Sequence, residues 1–278
     1  MFLTSGTNPY VKAIRKVYTT AFQSKNLRIA MPRLDRVMKK LIGVIEAKRQ
    51  EGPIDLQSLF VKMTLDAIGV VAFDVNLGGL DGSKNIYDLL PQIGYLSRRR
   101  LYNAVHRICL KLFPNSKEAR RQSAIINSLT AEWDKLTKEI LERDDPTNGE
   151  EPIWFAMRNV KDPRTNERLP FNLLRAELAM VIGAGMDTTG HQMGWLFALL
   201  AANPHVIDKL LEELRQNGLY GPNARNVAFE DLGSLTYLTA VIKEAMRVGY
   251  VMSAVPFRIV SKDMSILGYR VPKDTIVT

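Results

Sequence analysis

Residues 171–202, FNLLRAELAMVIGAGMDTTGHQMGWLFALLAA, decide how this chain of 278 residues is read. Their apolar spacing predicts one long helix, opened after a polar connector at 161–170, KDPRTNERLP, and closed by Asn203-Pro204. At ~1.5 Å per residue it is roughly 48 Å long, enough to cross the body of a domain. The part from 178 to 202 is also long enough to span a bilayer. However, Asp187, Thr188, Thr189, His191 and Gln192 sit at its centre, where an ionisable group is expensive in lipid. The cheaper expectation is a buried helix of a soluble core that carries a functional polar patch.

Working outward, helical periodicity continues on both sides. Residues 33–50 place Leu34, Val37, Met38, Leu41 and Ile45 on one stripe with Lys and Arg opposite, and Gly52-Pro53 stops that helix. Further helices are expected at 55–73 and 116–143 on one side of the long helix, and at 205–216 and 230–248 on the other. Beyond them the pattern changes. FRIVSKDMSILGYRVPKDTIVT, 257–278, has short β-branched runs broken by Gly268 and Pro272, which predicts a small sheet. The fold class is therefore mainly α, one domain over 1–278, with a small β element near the C-terminus.

Bulk properties bound the function. Apolar residues make up 46% and charged residues 24%, a globular composition. A net charge of +9 suits an anionic membrane, phosphate or an acidic protein partner without choosing among them. Aromatic residues are not interleaved with the charges as stacking on nucleic acid requires, so no nucleic acid is expected. The one cysteine, Cys109, excludes an internal disulfide and a multi-cysteine metal site. MFLTSGTNPYVK lacks a charged lead-in before an apolar run, so it does not read as a signal peptide.

The chemistry centres on AGMDTT, 184–189. Four-residue spacing puts Ala184, Thr188 and roughly Gln192 on one face, with Asp187 beside Thr188. Small residues at 184 and 185 let something flat approach the backbone. Thr188 can hydrogen-bond the Ala184 carbonyl and loosen the ladder, and adjacent carboxylate and hydroxyl can relay protons. VIGAG at 181–185 imitates a dinucleotide fingerprint, but Thr188 holds the third position, where Gly or Ala is needed. A helix rather than a strand precedes it as well. In KEAMR, 243–247, Glu244 and Arg247 lie at i, i+3 and can pair. The apolar spacing of LTYLTAVI before them predicts a largely buried helix.

In combination, AGMDTT, the helix end LLAANPHVIDKLLEEL, then LTYLTAVIKEAMR and VPFRIVSKDMSILGYRVPKDTIV strongly resemble the cytochrome P-450 family over residues 10–278. KAIRKVYTTAFQSKNLR, 12–28, and DAIGVVAF, 66–73, resemble its helices upstream.

The resemblance implies a partial cytochrome P-450 fold with the long helix across the distal face of a haem. Asp187 and Thr188 match the catalytic acid–alcohol pair, and Ala184 and Gly185 match the small residues flanking the oxygen groove. Glu244 and Arg247 match a structural ion pair. Arg258 and Arg15 match residues that contact the haem propionates, although Val11 stands where the family usually has Trp four residues before Arg15. The ligand loop F-x-x-G-x-R-x-C-x-G appears nowhere in these residues. Cys109, in HRICLKLF, lacks its context and is expected to be a buried, unreactive thiol. His106, His191 and His205 make no metal-ligand spacing, and His191, one turn from Asp187, is expected as a satisfied core or groove histidine. The run SRRR, 97–100, with Arg107 and Lys111, resembles a region often near the membrane.

The expected activity is that of a haem monooxygenase, of which this chain would be a fragment lacking its N-terminal anchor. It would use haem b, O2 and electrons from NADPH through a reductase, on an apolar small-molecule substrate. The endoplasmic reticulum membrane, cytosolic face, is the expected location of the full-length parent. The alternative is a catalytically inactive, haem-free truncated remnant.

Overall fold

The computed structural model describes residues 9–83, 86–146, 152–251 and 258–277. Its helices run α1 (Pro9–Ala21), α2 (Ser24–Lys48), α3 (Leu56–Ile68), α4 (Ile86–Tyr102), α5 (Ala104–Leu112), α6 (Lys117–Glu142) and α7 (Ile153–Arg158). Then follow α8 (Phe171–Ala202), α9 (Pro204–Gln216) and α10 (Thr236–Val248). Short polar side chains start several of them. Asp55 accepts from the Ser58 N–H, Asn103 from His106 and Ser116 from Ala119. The expected helix at 55–73 is α3 plus a single π-helical turn, Gly69–Phe73. The helix expected from residue 33 instead begins at Ser24 and runs through Pro32, forgoing one backbone bond there.

The expected β element is present as two separate antiparallel pairs. Strands β1 (Arg258–Ile259) and β4 (Ile276–Val277) pair with Arg258 opposite Val277; β2 (Met264–Ile266) and β3 (Tyr269–Val271) pair with Ile266 opposite Tyr269. The second pair is a two-residue hairpin. Leu267 and Gly268 both take positive φ there, 50° and 86°, which matches the right-handed twist of the strands.

α8 is the axis of the core. Leu174, Leu178 and Ile182 on it are almost fully buried, together with Leu65 of α3, Ile140 of α6 and Met157 of α7. Each such side chain contributes about 1.5–3 kcal/mol of hydrophobic stabilisation. The one helical stretch among the described residues that is long and apolar enough to cross a membrane is Leu56–Phe73, and it packs in this core.

α3 lies along α8 so closely that side chains are excluded from the seam. A Cβ on Gly190 would sit 2.7 Å from the Val61 Cα and 2.9 Å from the Thr64 Oγ1; one on Gly185 would meet Ile68, and one on Gly194 would meet Gln57. Within the seam the buried Thr64 hydroxyl lies 2.8 Å from the Met186 carbonyl, which can accept its proton. The Phe60 and Val61 carbonyls of α3 lie slightly farther from that hydroxyl, at 3.0 Å each. The Met186 oxygen belongs to the turn carrying Asp187 and Thr188, so this contact and the glycine seam together orient α8 from behind.

Gly190→Val places a branched side chain against α3 backbone that cannot yield. It should cost about 3 kcal/mol in urea unfolding; a loss under about 0.5 kcal/mol would show that the helices are not in close contact.

Candidate functional site

Successive helical residues turn by about 100°, so Ala184 and Thr188 lie within about 40° of one another, and Met186 and Gly190 lie roughly opposite. Since α3 occupies the Met186–Gly190 side, Ala184 and Thr188 face away from it, each half-buried. The Thr188 Oγ1 donates to the Ala184 carbonyl at 2.8 Å, the bond the sequence predicts. Asp187 keeps 63% of its side chain exposed. The His191 Nδ1 lies 2.8 Å from the Asp187 carbonyl and 3.5 Å from its Oδ1. Because a carbonyl only accepts, the ring proton sits on Nδ1, and His191 is half-exposed rather than a core residue. Further along the same side, the Gln192 Nε2 is buried without a hydrogen-bond partner.

Gly185 departs from the expectation. The space its missing Cβ leaves is taken by Ile68, 2.8 Å away, so its small size serves the packing of α3. VIGAG, which imitates a dinucleotide fingerprint, lies in mid-helix; no strand leads into it, and the turn that would cradle a phosphate is missing.

α10 carries Glu244 and Arg247, and its position depends on α9. The Glu213 carboxylate of α9 accepts the Tyr237 and Leu238 N–H groups at 2.6 and 2.9 Å, capping the first turn of α10 from outside. Desolvation pushes the Glu213 carboxyl up, but the donated N–H bonds together outweigh it, and its pKa lies below the ordinary glutamate value. Arg247 grips Glu244 with two bonds, Nε to Oε2 at 2.8 Å and Nη2 to Oε1 at 2.6 Å. The pair forms, but the expected burial does not: the side chains are 71% and 60% exposed, and Ala245 alone of α10 is buried. The apolar side of α10 instead borders an open groove of about 450 Å³ with Leu196, Leu199 and Val206.

The remaining expected residues do not gather at α8. Arg15 is exposed on α1, and Arg258 is exposed on β1. Val11, standing where a Trp is usual, is buried in the core. Cys109 is exposed on α5, contrary to the buried thiol expected; that helix lies against α4 and turns most of its surface to solvent. Among the described residues no cluster of three His, Cys, Asp or Glu could hold a metal ion. Sequence reasoning missed Thr64 and Glu213, both ordinary residues whose roles arise only from the helix each one meets.

Comparison with known proteins places this arrangement. A family model described as Cytochrome P450 matches residues 1–278. Cytochrome P450 71B34 of Arabidopsis thaliana is 29% identical over 96% of the chain and 54% of that protein. Carotene epsilon-monooxygenase, chloroplastic, also of Arabidopsis thaliana, is 27% identical over 86% of the chain and 46% of its own length. The chain thus spans about half the length of these curated relatives. A crystal structure of a cytochrome P450 (CYP102L1) superposes with a TM-score of 0.80 at 22% identity, over 98% of this chain and 61% of that one.

The Glu213 cap gives a pH signature. Because its folded carboxyl is the stronger acid, the contribution is full above about pH 4.3 and fades as acid protonates the folded form. Glu213→Gln should lower Tm by about 2–4 °C at neutral pH and by much less near pH 3, in thermal scans followed by circular dichroism. An equal deficit at both values would mean that the carboxylate charge is not what caps α10.

Proposed function

Because the chain belongs to the cytochrome P450 family, we propose that its α8 forms the distal wall of a haem-dependent monooxygenase. That enzyme would insert one oxygen atom from O2 into an apolar organic substrate, with electrons from a reductase drawing on NADPH. The observation that carries the reading is the side of α8 turned away from α3. It presents a small residue, Ala184, a hydroxyl, Thr188, and the unpartnered buried amide of Gln192, with a solvent-facing carboxylate, Asp187, at its edge.

These residues fit one side of a haem. Ala184 and Thr188 are small enough for a flat macrocycle to lie against the helix, and Gly185 is not needed there. Arg258 and Arg15 are the proposed propionate contacts, through charge-assisted bonds. Glu244 and Arg247 support structure rather than chemistry. When bound, haem supplies the activation of oxygen. Asp187, open to water, takes up protons and passes them to its neighbour. Thr188 holds its proton on the Ala184 carbonyl at rest; rotation about Cβ–Oγ turns that proton outward from the helix. The bond to Ala184 therefore keeps the hydroxyl in place without consuming it.

An axial cysteine is not among the residues that fit. Cys109, the one cysteine of the sequence, lies exposed on α5. A haem held on this side of α8 by the 278 residues alone would therefore have no thiolate ligand, and oxygen activation is proposed only for a chain that supplies one.

Membrane contact is proposed for the tip formed by α4 and α5. Leu101, Tyr102, Val105, Ile108, Leu112 and Phe113 are all exposed there, beside Arg98, Arg100, Arg107 and Lys111. An amphipathic basic helix of this kind lies flat in a lipid interface. The cytosolic face of the endoplasmic reticulum is the proposed setting.

Hemin titrated into the chain should quench tryptophan emission, Trp195 being exposed on α8 two turns beyond Thr188. Ala184→Phe or Thr188→Phe should weaken the quench titration at least about tenfold by blocking flat approach. Unchanged affinity in both variants would remove the groove from the account. Reduced with carbon monoxide, the 278-residue chain should give no thiolate-type band; such a band would contradict the exclusion of Cys109.

A further inference from the structure

α5 has one buried residue, and that residue is titratable. His106 is 7% exposed while the rest of the helix is exposed or half-exposed. Its Nε2 lies 2.9 Å from the Nε2 of Gln122 on α6, itself 1% exposed. The orientation of the Gln122 amide is fixed independently at both ends. Its nitrogen also lies 2.9 Å from the Glu118 Oε1, which can only accept, and its oxygen lies 3.2 Å from the Arg100 Nε, which can only donate. The nitrogen facing His106 is therefore a donor, and the His106 Nε2 must offer a lone pair. Bonded in this way, the imidazole is neutral, with its proton on Nδ1.

We propose that His106 and Gln122 form a proton-sensitive clasp that holds α5 against α6 and opens when His106 takes up a proton. A proton on Nε2 sets two donors face to face at 2.9 Å. The Gln122 amide cannot turn over to relieve this, because its nitrogen would then face Arg100 and its oxygen Glu118. Of the charged groups in this cluster, Glu118 of α6 interacts with the ring itself; Arg99 of α4 and Arg121 of α6 lie near Glu118, Arg100 of α4 bonds the Gln122 oxygen, and Arg107 of α5 is the ring's chain neighbour. Glu118 is the one anion among them, and Arg99 already donates to the same Oε1 at 2.9 Å. Arg107 donates to the Arg100 and Leu101 carbonyls and so ties the far side of α5 to the end of α4. Opening the clasp thus leaves α5 hinged at Asn103 rather than detached. The hinged helix carries Val105, Ile108 and Leu112 onto an anionic lipid surface together with one new positive charge. This second half rests on the membrane contact proposed above; the clasp does not.

Three measurements on the intact chain test it. Ring 15N shifts at neutral pH should place the His106 proton on Nδ1; a proton on Nε2 overturns the clasp. Hydrogen exchange of the α5 amides, corrected for intrinsic rate, should accelerate relative to α6 on acidification from neutral pH. In His106→Gln, whose side-chain oxygen accepts from Gln122 without titrating, α5 should stay protected; equal acceleration in both proteins overturns the proposal. Binding to vesicles of equal parts phosphatidylcholine and phosphatidylserine should rise about fivefold on the same acidification for the native chain, the worth of one added charge. It should change less than about twofold for His106→Gln. If α5 opens but neither protein binds vesicles at either pH, the membrane half falls with the reading it rests on, and the clasp stands.

Discussion

The close crossing of α3 on α8 is the constraint on which the rest depends. Gly190 and Gly194 remove the side chains that would hold the helices apart, and Thr64 then reaches the Met186 carbonyl across the gap. A glycine seam sets separation, and the Thr64 hydroxyl, nearer the Met186 carbonyl at 2.8 Å than the Phe60 and Val61 carbonyls of its own helix at 3.0 Å, favours one rotation. Turning α8 by one residue would swing its outward side by about 100°, carrying Thr188 toward α3 and leaving the Thr64 hydroxyl without this acceptor. The position of the Asp187–Thr188 pair is thus decided by residues on its far side.

The same logic recurs wherever apolar packing is thin. α10 buries little of its own surface, and its first turn is held by the Glu213 carboxylate of α9. α5 buries one imidazole, held by an amide of α6. In each case a polar group supplies the orientation that a hydrophobic stripe would supply in the core. The Glu213 cap depends on its carboxylate charge, whereas the Thr64 contact of the α3–α8 seam involves no ionisable group. The α9–α10 edge of this fold is therefore sensitive to acid where its axis is not.

How much of this was legible in the sequence depended on whether the signal was local. The bounds of α8 at 171–202 were readable because the punctuation at both ends, Pro170 and Asn203-Pro204, is local chemistry. The bond from Thr188 to Ala184 was readable for the same reason. The stripe at 33–50 shows only the C-terminal part of α2, which runs through Pro32 from Ser24, and α4 carries Pro91 and Gly94 inside it, which obscure its helical pattern. The apolar spacing of LTYLTAVI correctly announced a helix with an apolar side, but spacing cannot say whether a partner covers it, and here α10 is largely exposed. Gly185 invited a reading as open space for a ligand, although its neighbour is Ile68, 117 positions away in the chain. Cys109 was expected to be buried on general thiol behaviour, yet α5 buries His106 in its place.

Paramagnetic broadening by hemin tests the central claim most directly, with methyl groups of α8 and α3 as reporters. The account predicts that the Ala184 and Thr188 methyls broaden first, while those of Ile182, Met186 and Thr64, behind the helix axis, persist. Broadening strongest at Met186 or Thr64, or spread evenly over the surface, would contradict it.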